Sequence, residues 1–144
     1  MQSKLTRACT AAVLAVLISC DKDKDNVAPA PVGVDKVVRF EIFATKDYTT
    51  HYYADYDAKV SLWIVRTDKA TMKEIVVLDT TFTRPLKAFP LEADKLVISK
   101  KITGVADQNE WIGVGSGTRM GAEAYSSYES FPADVREKRV EVKL

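Results

Sequence analysis

The chain has 144 residues, 47% hydrophobic and 28% charged, and its 21 basic and 20 acidic side chains leave a formal net charge of +1. A length of this order supports one hydrophobic core, and a charge so near zero has no field to gather a polyanion, so nucleic acid is excluded as a partner. A single histidine and two cysteines, Cys9 and Cys20, leave few ligands for a metal centre.

Residues 1–19 divide into the parts of a secretory signal. Lys4 and Arg7 form a positive start without acidic residues, and residues 8–18 form an apolar run of eleven. That run is about half the ~20 residues a membrane-spanning helix needs. Ser19 and Cys20 close it. The tetrapeptide Leu17-Ile18-Ser19-Cys20 resembles the lipobox of bacterial lipoproteins: an aliphatic residue three before the cysteine, a small residue before it, and the cysteine itself. The resemblance implies cleavage before Cys20, acylation of Cys20, and attachment to a lipid bilayer. It implies residence in the envelope of a Gram-negative bacterium, with the outer membrane as the expected address. Each buried acyl methylene contributes about 0.8 kcal/mol, and two or more chains hold a protein stably where one does not. Cleavage removes Cys9 and two basic residues, leaving 19 basic against 20 acidic side chains. No free thiol then remains for zinc, redox or nucleophilic chemistry. An ordinary signal would instead leave Cys20 as an unpaired thiol.

Residues 20–35 read as the lipidated terminus and a solvated tether. Asp21, Asp23 and Asp25 give the D-x-D-x-D opening of a calcium loop, but such a loop needs glycine sixth and glutamate twelfth, where Asn26 and Val32 stand. Acidic residues after the acylated cysteine resemble a surface-export signal of some Gram-negative lipoproteins, whereas Asp21 alone resembles an inner-membrane retention signal of others. Fully extended, fifteen tether residues reach about 50 Å.

Residues 36–144 show period-two patterns and no helical periodicity of useful length. Val38, Phe40, Ile42 and Ala44 alternate as one strand. Tyr56, Ala58, Val60, Leu62 and Ile64 form a second, and the turn at 67–71 leads to a third at 74–82. Pro85 and Pro90 mark 86–89 as an edge segment, because proline cannot donate to a ladder. Residues 95–102 form a strand expected to end or bulge at Lys100. Residues 111–114 and 120–125 read as strands on either side of a glycine-rich turn, and Val140, Val142 and Leu144 close the chain. About seven short strands with regular turns predict an all-β fold, a single antiparallel β-sandwich of immunoglobulin-like type, with a small open barrel as the alternative. From Lys87 onward the chain also resembles small secreted immunoglobulin-like sandwiches of the MmpS type. That likeness rests on Lys87-Ala88-Phe89, the strand Leu96-Val97-Ile98-Ser99, and the strand–turn–strand pattern around Gly115 and Ala124. It implies a sandwich and no site; Leu86 or Pro85 stands at the family's tryptophan, and Gly115-Ser116-Gly117 at its Asp-Gly turn.

Few residues carry reactive chemistry. The run from Gly113 to Gly121 lacks the sixth-position glycine of a dinucleotide cradle, since Thr118 stands there, and reads as a turn. His51 is the only base for a serine-hydrolase triad, with no nucleophile-elbow motif beside it. With Asp47, Asp55 and Asp57 it makes at most a weak metal site. The strongest candidate is the segment 47–57, where tyrosines alternate with aspartates and threonines and offer flat, hydroxyl-tipped faces. Tyr48, His51 and Tyr53 are expected to face outward as a binding surface, with Tyr52, Ala54 and Tyr56 continuing the inward face. Trp63 and Trp111 read as core fillers. Arg119, Tyr125, Tyr128 and Phe131 form a possible second exposed cluster. No enzyme, cofactor or metal is expected. The predicted function is a non-catalytic envelope lipoprotein whose sandwich binds a protein, peptide or glycan. An accessory subunit of an envelope assembly is the alternative, and a hydrolase using His51 ranks below both.

Overall fold

A computed structural model describes residues 33–144. The signal segment, Cys20 and the tether up to Val32 lie outside the described residues. The described chain is an all-β sandwich of seven strands, as its period-two patterns predict: β1 (Val34–Phe43), β2 (Asp57–Asp68), β3 (Glu74–Pro85), β4 (Leu96–Val105), β5 (Glu110–Met120), β6 (Glu123–Phe131) and β7 (Glu137–Lys143). One sheet has the order β4-β1-β7 and the other β3-β2-β5-β6. Alternation decides the core. Val38, Phe40 and Ile42 of β1 and Ala58, Val60, Leu62 and Ile64 of β2 have no exposed surface, and Ile112, Val114, Phe131 and Val142 close around them.

All strand pairs are antiparallel except β1 and β7, which run parallel from Val37 opposite Glu137 to Phe43 opposite Lys143. These are the first and last strands, so the whole domain forms the crossover that a parallel pair requires. Immunoglobulin domains join their first, second, fifth and fourth strands in one sheet. Here the first strand sits between the fourth and seventh, so the architecture is shared and the strand order is this chain's own.

The bulges lie where the chain relieves local misfit. β4 runs straight through Lys100, and its irregularity falls later, where Val34 faces Val105 and Lys36 faces Ile102. Gly104, with a left-handed φ of 62°, supplies the extra residue. β3 continues to Pro85 as an edge strand, and the expected edge segment after it is a short 3-10 turn, Leu86–Ala88, which buries Leu86. On β3, Val77 is skipped between the pairs Ile64–Leu78 and Val65–Val76.

The predicted glycine-rich turn is absent. Gly113, Gly115 and Gly117 lie inside β5, and the reversal occurs at Gly121, whose φ is 59°. The three glycines face outward, and aromatic rings lie on them. A Cβ on Gly115 would stand 2.1 Å from Cε2 of Trp63, and one on Gly113 would stand 1.8 Å from the Tyr128 hydroxyl. Trp63 is therefore not a core filler: it lies flat on the outer face of the four-stranded sheet. Trp111 is 38% exposed on the same side. Glycine in a strand is otherwise unfavourable, and a cross-strand ring restores the missing packing.

Lys36 takes an inward position of β1 and is fully buried. Its Nζ donates to the carbonyls of Pro132, Ala133 and Val135 at 2.8, 3.0 and 3.1 Å. It also pairs with Asp107 at 3.0 Å and lies over the Phe131 ring. Burying a charge is tolerable when it is fully coordinated, and this one fastens the β6–β7 connection to the core.

Candidate functional site

Registers place the end of β1, the start of β2, the end of β3, the start of β4 and the β5–β6 turn at one end of the sandwich. The loop of residues 44–56 crosses between the sheets there. Successive short turns coil it: His51 N–H donates to the Tyr48 carbonyl, Ala54 N–H to His51 and Tyr56 N–H to Tyr53, at 3.0, 2.9 and 3.0 Å. Asp47 accepts from the Thr49 N–H at 2.8 Å, and that bond, with the Thr49 hydroxyl, holds its carboxyl below the usual range. The loop is stitched to the turn after β3 by Leu86 N–H to the Tyr56 carbonyl and Lys87 N–H to that of Ala54.

This scaffold stacks the aromatic side chains against one another. Tyr48 meets His51 edge-on with centroids 5.7 Å apart, His51 stacks on Tyr53 at 5.1 Å, and Tyr53 meets Tyr56 edge-on at 5.1 Å. Beneath them opens a cleft of about 390 Å³, with Tyr48, Tyr53 and Tyr56 on one side, Leu86 and Met120 as apolar floor, and Lys46 and Glu123 among its lining. Lys46 Nζ sits over the Tyr48 ring at 5.1 Å. The Tyr52 hydroxyl, then partial burial and Tyr53, hold the Tyr56 phenol above its ordinary value. Flat rings, hydroxyl tips and one group of each charge suit a polar ligand with an apolar face.

Tyr53 is 45% exposed, while Tyr48 and His51 are half-buried, with Tyr48 packed against the core edge. Only Tyr48 and Tyr53 line the cleft; His51 stands behind them as a joint. Its Nδ1 accepts the Tyr53 N–H at 3.3 Å, which puts the ring proton on Nε2. No metal-ligand cluster forms from it with Asp47, Asp55 and Asp57. Tyr52 and Tyr56, expected to point inward, are 80% and 45% exposed. The alternation begins only at Ala58, because β2 starts at Asp57 and the preceding turns carry no strand phase. Of the second cluster, Phe131 is buried, whereas Tyr125 and Tyr128 are 64% and 58% exposed.

Sequence reasoning missed Lys46, Tyr56, Leu86, Met120 and Glu123 as cleft residues. They come from three separate connections, the 44–56 loop, the turn after β3 and the β5–β6 turn, and nothing in local periodicity joins them. Among the described residues, no helix is long and apolar enough to cross a membrane. In comparisons with known proteins, no family model, curated sequence or solved structure matches this chain.

Proposed function

We propose that this chain is a lipid-anchored lipoprotein of a Gram-negative cell envelope, held in the outer membrane through acylated Cys20, and that its sandwich is a non-catalytic domain binding a protein, peptide or glycan partner. The anchor rests on Leu17-Ile18-Ser19-Cys20 following a positive, then apolar, segment. The binding role rests on one observation, the tyrosine-lined cleft at the end of the sandwich. Tyrosines that could have been buried are spent on a solvent-facing concavity with an apolar floor, the composition of a recognition site. The cleft is tested by placing a photo-reactive phenylalanine at the exposed Tyr52, whose ring abuts the lining residues Tyr53 and Tyr56, in living cells. A discrete adduct that disappears on adding Tyr53→Ala supports the reading. Irradiation giving no adduct, or one indifferent to Tyr53, rejects it.

A second reading, an accessory subunit of an envelope assembly, is favoured by the free edge of β3. Ile75 and Val76 are 56% and 64% exposed there, beside unpaired backbone groups. A stoichiometric complex in mild detergent that dissociates on Ile75→Lys supports it, and a monomer under the same conditions rejects it.

A further inference from the structure

The outer face of the four-stranded sheet carries the Trp63 and Tyr128 rings, whose inner faces pack on β5, and two cations, Lys59 and Arg119, that neither the fold nor the cleft uses; one carboxylate, Asp79, stands opposite Trp63 on β3. The Trp63 indole rests with one face on β5. Its five-membered-ring side is against Gly115, and its far edge would come within 3.6 Å of a Cβ on Gly117. Its other face is turned away from the sheet. On the far side of Gly115, Tyr128 lies over Gly113. Lys59 and Arg119 are direct partners across β2 and β5, two residues beyond Gly117, and both are exposed. Among the described residues neither belongs to an ion pair. Like charges directly opposite one another in a sheet repel, and an anion between them removes the cost. Lys59, Arg119, Trp63, Ser61 and Ser126 share a shallow depression of about 280 Å³.

We infer that this face is a platform for a carboxylated polysaccharide, separate from the cleft and not dependent on it. The Trp63 and Tyr128 rings receive the C–H faces of successive pyranoses, the Lys59–Arg119 pair receives a uronate carboxylate, and the Ser61 and Ser126 hydroxyls meet sugar hydroxyls. From Gly113 to Arg119 the platform runs six residues of strand, about 20 Å, a length for an oligosaccharide and not a monosaccharide. A nucleic-acid strand also brings stacking faces and anions, but it presents a phosphate at every step and calls for a basic track. Two cations at one end, on a described chain with as many acidic as basic side chains, match a sparser charge.

The test is calorimetric titration of the intact protein in detergent with tetragalacturonate, cellotetraose and heptathymidylate as probes. Tetragalacturonate is expected to bind with a submillimolar Kd and cellotetraose markedly more weakly. Tyr128→Ala is expected to weaken the acidic sugar by about tenfold, as is the double change Lys59→Glu with Arg119→Glu. The charge variant replaces only exposed groups, so its thermal midpoint should match the parent's even if loss of the Tyr128 ring loosens β5. Tyr53→Ala should leave tetragalacturonate binding intact. The inference is overturned if tetragalacturonate does not bind, if the charge variant binds it unchanged, if heptathymidylate binds as tightly, or if Tyr53→Ala abolishes binding and so moves the sugar to the cleft.

Discussion

Gly113, Gly115 and Gly117 occupy alternate positions of a central strand, where a side chain would normally add packing. They differ in what lies above them, and that difference is measurable. A methyl group at Gly115 meets the indole of Trp63 at 2.1 Å, too close for either to stay in place. At Gly117 the nearest atom is the Tyr125 carbonyl oxygen at 3.5 Å, an ordinary contact. Gly115→Ala should therefore cost about 1–3 kcal/mol, with a change in tryptophan fluorescence as Trp63 is lifted from the sheet. Gly117→Ala should be neutral or stabilising by about 0.5–1 kcal/mol, because alanine restricts the unfolded chain and suits a strand better. Equal destabilisation of the two in urea titrations would contradict the ring placement. Lys36 makes the opposite point about burial. Lys36→Met keeps the volume and the aliphatic stem but leaves three carbonyls and Asp107 without their donor. The expected loss is about 3–5 kcal/mol, read from the same titrations.

Elements explain which parts of the fold were legible in the sequence. β2 and β7 alternate because one face of each meets the opposite sheet, and Val38, Phe40 and Ile42 of β1, Ala58, Val60, Leu62 and Ile64 of β2 and Val142 of β7 are legible from the pattern, whereas the buried Lys36 and the fully buried end of β1 are not. β5 and β6 were misread because glycine signals turns far more often than it signals a ring lying on a strand, and the rings belong to Trp63 and Tyr128, far away in sequence. The cleft was half legible for the same reason: Tyr48 and Tyr53 announce themselves, whereas Leu86, Met120 and Glu123 arrive by topology. The far end of the sandwich is closed by a clamp that pattern cannot reveal. Arg66 on β2 donates to both carboxylate oxygens of Glu110 at 2.8 and 2.6 Å and to the Thr103 and Gly104 carbonyls, joining the two sheets. The Arg66 hydrogen bonds, helped by the Ala106 N–H and opposed by burial, hold the Glu110 carboxyl below its ordinary value of 4.5. A carboxyl lowered in the folded state stabilises the fold fully above its unfolded value. That contribution is lost as pH falls through the folded one. Glu110→Gln should thus lower stability at neutral pH by about 2 kcal/mol and flatten the further decline below about pH 4.5. Denaturant titrations across that range check the sign: parallel curves for parent and variant would mean the clamp does not bind Glu110 as a carboxylate.

The molecule as a whole has polarity along its sheets. β1 begins at Val34 at the Arg66–Glu110 end and finishes at Phe43 beside the tyrosine loop, ten residues long and about 30 Å from end to end. The described chain therefore begins at the end of the sandwich opposite the cleft. No residue of the proposed anchor motif lines the cleft, so anchoring and binding should separate cleanly. Cys20→Ala should abolish acyl labelling and move the protein from the membrane fraction to the soluble one. Each of two acyl chains contributes several kcal/mol through its methylenes, and nothing in the near-neutral charge replaces that attraction. The cross-link at Tyr52 should still form when the variant is mixed with an envelope extract from cells lacking the protein, with the same dependence on Tyr53. If Cys20→Ala remains with the membrane, lipid is not what holds the chain there. If it leaves the membrane and the adduct vanishes in the mixed extract, anchor and cleft are coupled.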